Sequence, residues 1–240
     1  MAALLTILLM AFFIGADAWW SRRAVRVWGN PEPVGEECIP RPSDSVATIA
    51  GYEFRPGLRY HQGHTWARLD EQGLVTVGVD DFARRLVGPV DQIELPCGGS
   101  SLLQGEVGFR VGREDRWASL LSPIDGEVVE VNRALLAAPF DISDDPYGRG
   151  WICRVQPHNA ALSLRNLLGG TLAHRWLEDE GGQLSASLAE AAGGAMADGG
   201  MPAADFERHL DQAVWQRLAE RFLLRDETPE TGGDTNEEPE

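Results

Sequence analysis

Apolar and polar positions alternate through the middle of the chain and give way to a fourfold apolar recurrence near its end. Residues 75–79 (Val-Thr-Val-Gly-Val) and 127–131 (Glu-Val-Val-Glu-Val) repeat with period two, bounded by glycine or asparagine, and predict half-buried strands. Between them Phe82, Ala83 and Leu86 follow Asp80 and Asp81, either of which can cap a short helix that Gly88 is placed to end. Further on, Leu164, Leu167, Leu168, Leu172 and Trp176 form an apolar face interrupted at Gly169-Gly170. Phe206, Leu210, Val214, Leu218 and Phe222 then recur every four residues and predict one amphipathic helix. Such a stripe can pack on its own domain or on a partner, and the pattern leaves both open.

The flanks follow other rules. Positions 2–16 are apolar apart from Thr6, Asp17 and Ala18 lead on to Trp19 and Trp20, and Arg22, Arg23 and Arg26 close the segment. A helix of about 20 residues rises about 30 Å, the thickness of a hydrocarbon core, so 1–21 is expected to be a transmembrane anchor with an aromatic belt. A cleaved leader would carry its charge before the apolar stretch; here the charge follows. The positive-inside rule then puts the protein in the cell membrane, single-pass, with its main domain cytoplasmic. Residues 22–57, with Pro31, Pro33, Pro40 and Pro42, read as a juxtamembrane linker. The acidic tail 226–240, without aromatic residues, reads as disordered.

Composition narrows the chemistry. The formal net charge of -16 argues against nucleic acid, whose affinity comes from basic groups neutralising phosphates. Cys38, Cys97 and Cys153 are odd in number and lack metal-ligand spacing, so neither a disulfide framework nor a zinc site is expected. His61 and His64 would diverge on an extended strand, and no metal site is predicted there. Asp141, Asp144 and Asp145 lack the ligand order of a calcium loop and read as a turn. No nucleophile elbow, phosphate loop or dinucleotide fingerprint appears, and no catalytic residue is assigned; the chain does not read as an enzyme. All 21 basic residues are arginine; there is no lysine.

The central blocks carry a resemblance. Tyr60-His61-Gln62-Gly63-His64-Thr65-Trp66 is followed by Val77-Gly78-Val79-Asp80-Asp81-Phe82-Ala83, Leu86-Val87-Gly88-Pro89-Val90 and Ile93-Glu94-Leu95-Pro96. Ser122-Pro123-Ile124-Asp125-Gly126-Glu127-Val128 and Asp144-Asp145-Pro146-Tyr147-Gly148 come after. In this order they resemble the H protein of the glycine cleavage system, a carrier of the lipoyl/biotinyl type. The resemblance implies a mainly β fold, a barrel-sandwich hybrid over 58–160, here with the N-terminal transmembrane helix and a C-terminal helical annex over 161–225. It also implies a projecting hairpin with strands at 106–111 and 116–121 and a tip of Gly112, Arg113, Glu114 and Asp115, the glycine being free to take positive φ. Counting from both sides puts the family's lipoyl-lysine position at Asp115. Lipoate, the cofactor the family leads one to expect, needs an amine to form its amide, and a carboxylate offers only acceptors. The expected function is therefore a non-lipoylated, membrane-anchored binding or scaffold protein with a protein partner and no cofactor. The alternatives are a genuine aminomethyl carrier and a subunit resembling periplasmic export adaptors.

Overall fold

The computed structural model describes residues 46–191 and 205–224, all within a compact unit spanning 42–240. The expected anchor at 1–21 and tail at 226–240 lie outside the described residues. Among the latter, no helix is long and apolar enough to cross a membrane.

Eleven strands are described, and every pairing among them is antiparallel. A six-stranded sheet runs in the order β3 (Arg59–Tyr60), β4 (Thr65–Leu69), β5 (Val75–Val79), β11 (Cys153–Pro157), β10 (Gly126–Val131), β7 (Ser101–Leu102). A three-stranded sheet orders β6 (Gln92–Glu94), β8 (Val107–Arg113) and β9 (Arg116–Leu121). Inward side chains of both sheets, Val77 and Val155 from one and Phe109, Val111 and Leu120 from the other, join one buried cluster. This is the expected mainly β architecture.

The strands depart from simple half-burial for local reasons. All five residues of β5 are buried, because the strand is central and the Trp66 ring lies across Gly78, where an added Cβ would fall 2.4 Å from the indole. In β10 a register shift between Val128 and Glu130 breaks the alternation, leaving Val129 exposed. Helix α1 (Asp81–Val87) forms as expected: the Asp80 carboxylate accepts from Ala83 N at 2.9 Å, and Gly88 ends the helix at φ 83°.

Part of the expected linker is a structured element. Residues 47–54, placed in the segment 22–57, form a hairpin of β1 (Ala47–Ile49) and β2 (Tyr52–Phe54), burying Ile49, Tyr52 and Phe54. Glu53 N donates to the Asp81 carboxylate at 2.8 Å, and Tyr147 Oη donates to Glu53 O at 2.8 Å. Alternation over so few residues is too short to register against the surrounding prolines.

The annex folds back on the β domain. Helix α2 (Asp141–Asp144) and helix α3 (Ala160–Arg165) are short, and helix α4 (Gly170–Ala191) begins at the Gly169-Gly170 break. Ala173, Leu177, Leu184 and Leu188 are buried along α4, and Gly181 brings the helix against the Ala50 turn, where a Cβ would meet that methyl at 2.7 Å. Leu172, counted in the apolar face, is exposed. The stripe at 206–222 is not one helix. Phe206–His209 is a 3₁₀ turn, Leu210 is extended, and helix α5 (Gln212–Leu223) restarts where Asp211 accepts from Val214 N at 2.8 Å. The capping carboxylate divides the stripe, and α5 buries Trp215 and Leu223, positions outside the fourfold pattern, together with Leu218 and Phe222 from it.

Candidate functional site: the hairpin and its helical clamp

The hairpin is longer and its tip tighter than expected. Strands β8 and β9 pair as far as Arg113 and Arg116, so Glu114 and Asp115 alone make the turn. The residue with positive φ is Glu114, at 54°, and not Gly112, which lies in the strand opposite Trp117. Gly112 serves a different need: an added Cβ would sit 2.9 Å from the Trp117 ring. The strained turn is held from the side, where Asp91 accepts from Glu114 N at 3.2 Å and Gln92 Nε2 donates to Glu114 O at 3.0 Å. Asp115, at the apex, is exposed.

Both arginines that close the turn reach the annex. Arg116 donates to Gln212 Oε1 at 3.0 Å, Glu207 O at 3.0 Å and Leu210 O at 2.7 Å, and its guanidinium lies 5.6 Å from the Trp215 ring centroid. Arg113 pairs with Glu207 at 3.2 Å. That carboxylate is buried against Gly88, and its Oε2 has no hydrogen-bond partner among the described residues. Trp215 Nε1 donates to Leu86 O at 2.9 Å, filling a carbonyl at the end of α1 that the helix leaves open. Arg110 covers Trp117 from the other side and pairs with Glu94 at 3.2 Å. A planar fork suits several carbonyls at once in a way an ammonium does not, so arginine is the apt residue at 116.

Between β9 and α5 a cavity of about 300 Å³ opens beside the tip, walled by Asp115, Trp117 and Ser119 on one side and Gln212, Gln216 and Glu220 on the other. The position of the tip was legible in sequence; the clamp was not, since the nearest annex partner is about ninety residues away along the chain. The run of arginines around the tip was its one visible trace.

The remaining candidates are structural. His61 and His64 lie in a turn, not on an extended strand: His64 N donates to His61 O at 3.0 Å, and His64 takes φ 59°. His64 is fully buried, with Nδ1 2.8 Å from Asp80 Oδ2 and its ring stacked on Phe82 at 3.9 Å. Burial, then the neighbouring His64, lowers the His61 pKa to about 4. Asp141 pairs with Arg149 at 2.9 Å, and no group of metal-ligating side chains occurs among the described residues. Cys97 is exposed, whereas Cys153 is buried, its thiol pushed up to about 12 by desolvation; Cys38 lies outside the described residues.

The family model for the glycine cleavage H-protein matches residues 58–180. The chain belongs to that family. The match runs past residue 160 through α3 and into α4, so the H-protein domain takes in part of what the sequence suggested was annex. A Pyrococcus abyssi protein named "Probable glycine cleavage system H protein" is 36% identical over 120 residues, covering 50% of this chain and 89% of that protein. "Glycine cleavage system H protein 2" of Pseudomonas aeruginosa is 42% identical over 104 residues, covering 43% and 80%. The crystal structure of a Mycobacterium marinum glycine cleavage system H protein is 29% identical and covers 46% of this chain and 95% of its own, with a TM-score of 0.42.

Lipoate, the group an H-protein carries, does not fit the residues at this tip. Amide formation requires a primary amine, Asp115 supplies a carboxylate, and no lysine occurs anywhere in the sequence.

Proposed function

We propose that this H-protein-family chain has left covalent carriage behind and acts as a non-lipoylated, membrane-anchored binding or scaffold protein. The observation that carries the reading is Asp115 at the exposed apex of the hairpin, in a chain without lysine. The clamp supports it: a swinging-arm site works best free at its base, whereas here Arg113 and Arg116 tie the hairpin to the annex. The apolar stretch at 2–16, followed by two tryptophans and three arginines, supports the anchor and a cytoplasmic main domain. Catalysis is not part of the role. Intact-mass measurement of the protein from its native membranes tests the reading. The mass expected is that of the unmodified polypeptide, and an increment of one lipoyl group on any residue refutes it.

The family relatives favour a second reading, a working aminomethyl carrier. That role requires rescue of an H-protein-deficient strain grown on glycine as its one-carbon source, and the first reading expects no growth from well-folded protein.

A further inference from the structure

Three arginines flank the Gly169-Gly170 break without partners among the described residues. Arg59, Arg165 and Arg175 are exposed, and none of them makes a hydrogen bond or ion pair there. The arginines of α1 and the hairpin, by contrast, are committed: Arg84 and Arg85 to Asp81, Arg110 to Glu94 and Arg113 to Glu207.

The backbone sets the three side by side. Tyr60 N donates to Leu168 O at 2.8 Å and Leu168 N to Tyr60 O at 2.8 Å, which seats β3 against the chain entering α4. The Arg59 side chain therefore lies over Gly169, its Cζ 2.9 Å from where a Cβ would stand. Arg175 comes two turns into α4, about 9 Å along the axis from Gly169, with the exposed Leu172 between. Arg165 ends α3 four residues before Gly169, and its Cα is thus no more than about 14 Å away. Long side chains close much of these gaps, and charges within a Debye length of about 8 Å act on one surface.

The chain carries the matching charge itself. Residues 226–240 hold seven acidic side chains and no basic one. That segment departs from the same side of the domain: Leu223 O is 2.9 Å from the Cβ position of Gly63, in the turn that follows Arg59 and Tyr60. Sixteen residues follow Leu224 in the sequence, enough for about 55 Å of extended chain. An isolated exposed ion pair is weak, but a short tether raises the local carboxylate concentration to about the millimolar range, and three cations in one patch act together. We infer that residues 226–240 dock on the face formed by Arg59, Arg165 and Arg175, covering the start of α4. An anionic lipid surface matches the same charge, yet it has to approach from outside against a net charge of -16. The face is then neutralised from within, and an anionic partner reaches it only by displacing the segment.

The lack of lysine makes the test selective. A zero-length carbodiimide joins an amine to a touching carboxylate with loss of water, and in this chain only the N-terminal amine competes. Arg59→Lys and Arg175→Lys each place one amine on the face and keep its charge, while Arg133→Lys places one in the 3₁₀ turn Arg133–Leu136 as a control. The full chain is coupled, and the joined peptides are identified by mass spectrometry. Both face variants are expected to link to carboxylates of 226–240 at least about fivefold more than the control, with melting temperatures unchanged because all three sites are exposed. The yield is expected to fall at least about threefold between about 0.02 M and about 0.5 M salt. Links confined to Glu178 and Asp179 next to Arg175, equal yield from the control, or coupling indifferent to salt overturns the inference. Arg217→Lys, on α5 itself, tests plain fold-back of the segment, and stronger links from it than from either face variant also overturn the inference. The coupling is repeated with phosphatidylcholine vesicles and with vesicles that contain phosphatidylglycerol as well. Unchanged links in both are expected, and their loss on the anionic vesicles alone assigns the face to lipid headgroups instead.

Discussion

Trp215 ties α5 to both α1 and the hairpin. Its side chain is 1% exposed, its Nε1 donates to Leu86 O at 2.9 Å, and its ring supports the Arg116 guanidinium. Replacing it with alanine empties the space between α5 and α1 and strands the Leu86 carbonyl. Large-to-small changes of buried tryptophan cost about 3–5 kcal/mol. Trp215→Phe retains most of the ring but leaves the buried carbonyl unmet, a loss of about 1–2 kcal/mol. Urea unfolding should therefore rank wild type above Phe above Ala, with unchanged slopes if the annex and the β domain unfold together. Amide exchange gives the local readout: protection over 212–223 should fall in parallel while β4 and β5 remain protected in Trp215→Phe. If Trp215→Ala lies within about 0.5 kcal/mol of wild type and α5 exchange is unchanged, the helix is not held by this contact and the clamp is misread.

Other outcomes follow from the same contacts. Arg113→Ala leaves the buried Glu207 carboxylate with only the more distant Arg208, at 3.7 Å, and should cost about 2–4 kcal/mol by urea unfolding, whereas Glu207→Gln should cost clearly less because it removes the charge itself. Gly63→Ala places a Cβ 2.9 Å from Leu223 O and should loosen the end of α5, lowering stability by about 1–3 kcal/mol and raising exchange there first. His61 titrates near 4 when folded, against 6.5 as its ordinary value. The unfolded chain thus binds a proton in the window between those values that the folded one refuses. Stability is fully present above pH 6.5 and declines as pH falls toward 4, by about 2 kcal/mol after allowance for partial exposure. His61→Gln should flatten that slope in urea titrations at several pH values, and an unaltered slope would remove His61 as its source.

Much of this molecule can be read from short stretches of chain, because the relevant interactions are local. The α1 cap at Asp80 and stop at Gly88, the strand at 75–79 and the break at Gly169-Gly170 depend on neighbours a few residues apart. Asp115 at the apex follows from counting between flanking motifs, and its inability to be acylated by lipoate follows from its lack of an amine. Elements that failed the local reading were governed by distant partners. The β1–β2 hairpin is ordered by Asp81 and Tyr147, the long stripe is divided by the Asp211 cap, and positive φ falls on Glu114 because Asp91 and Gln92 brace the turn. The clamp and the acid-lined recess belong to the same class. Residues 115–119 and 207–220 meet only after both sheets have closed on one core, since hydrophobic periodicity tells which face is buried and not what covers it.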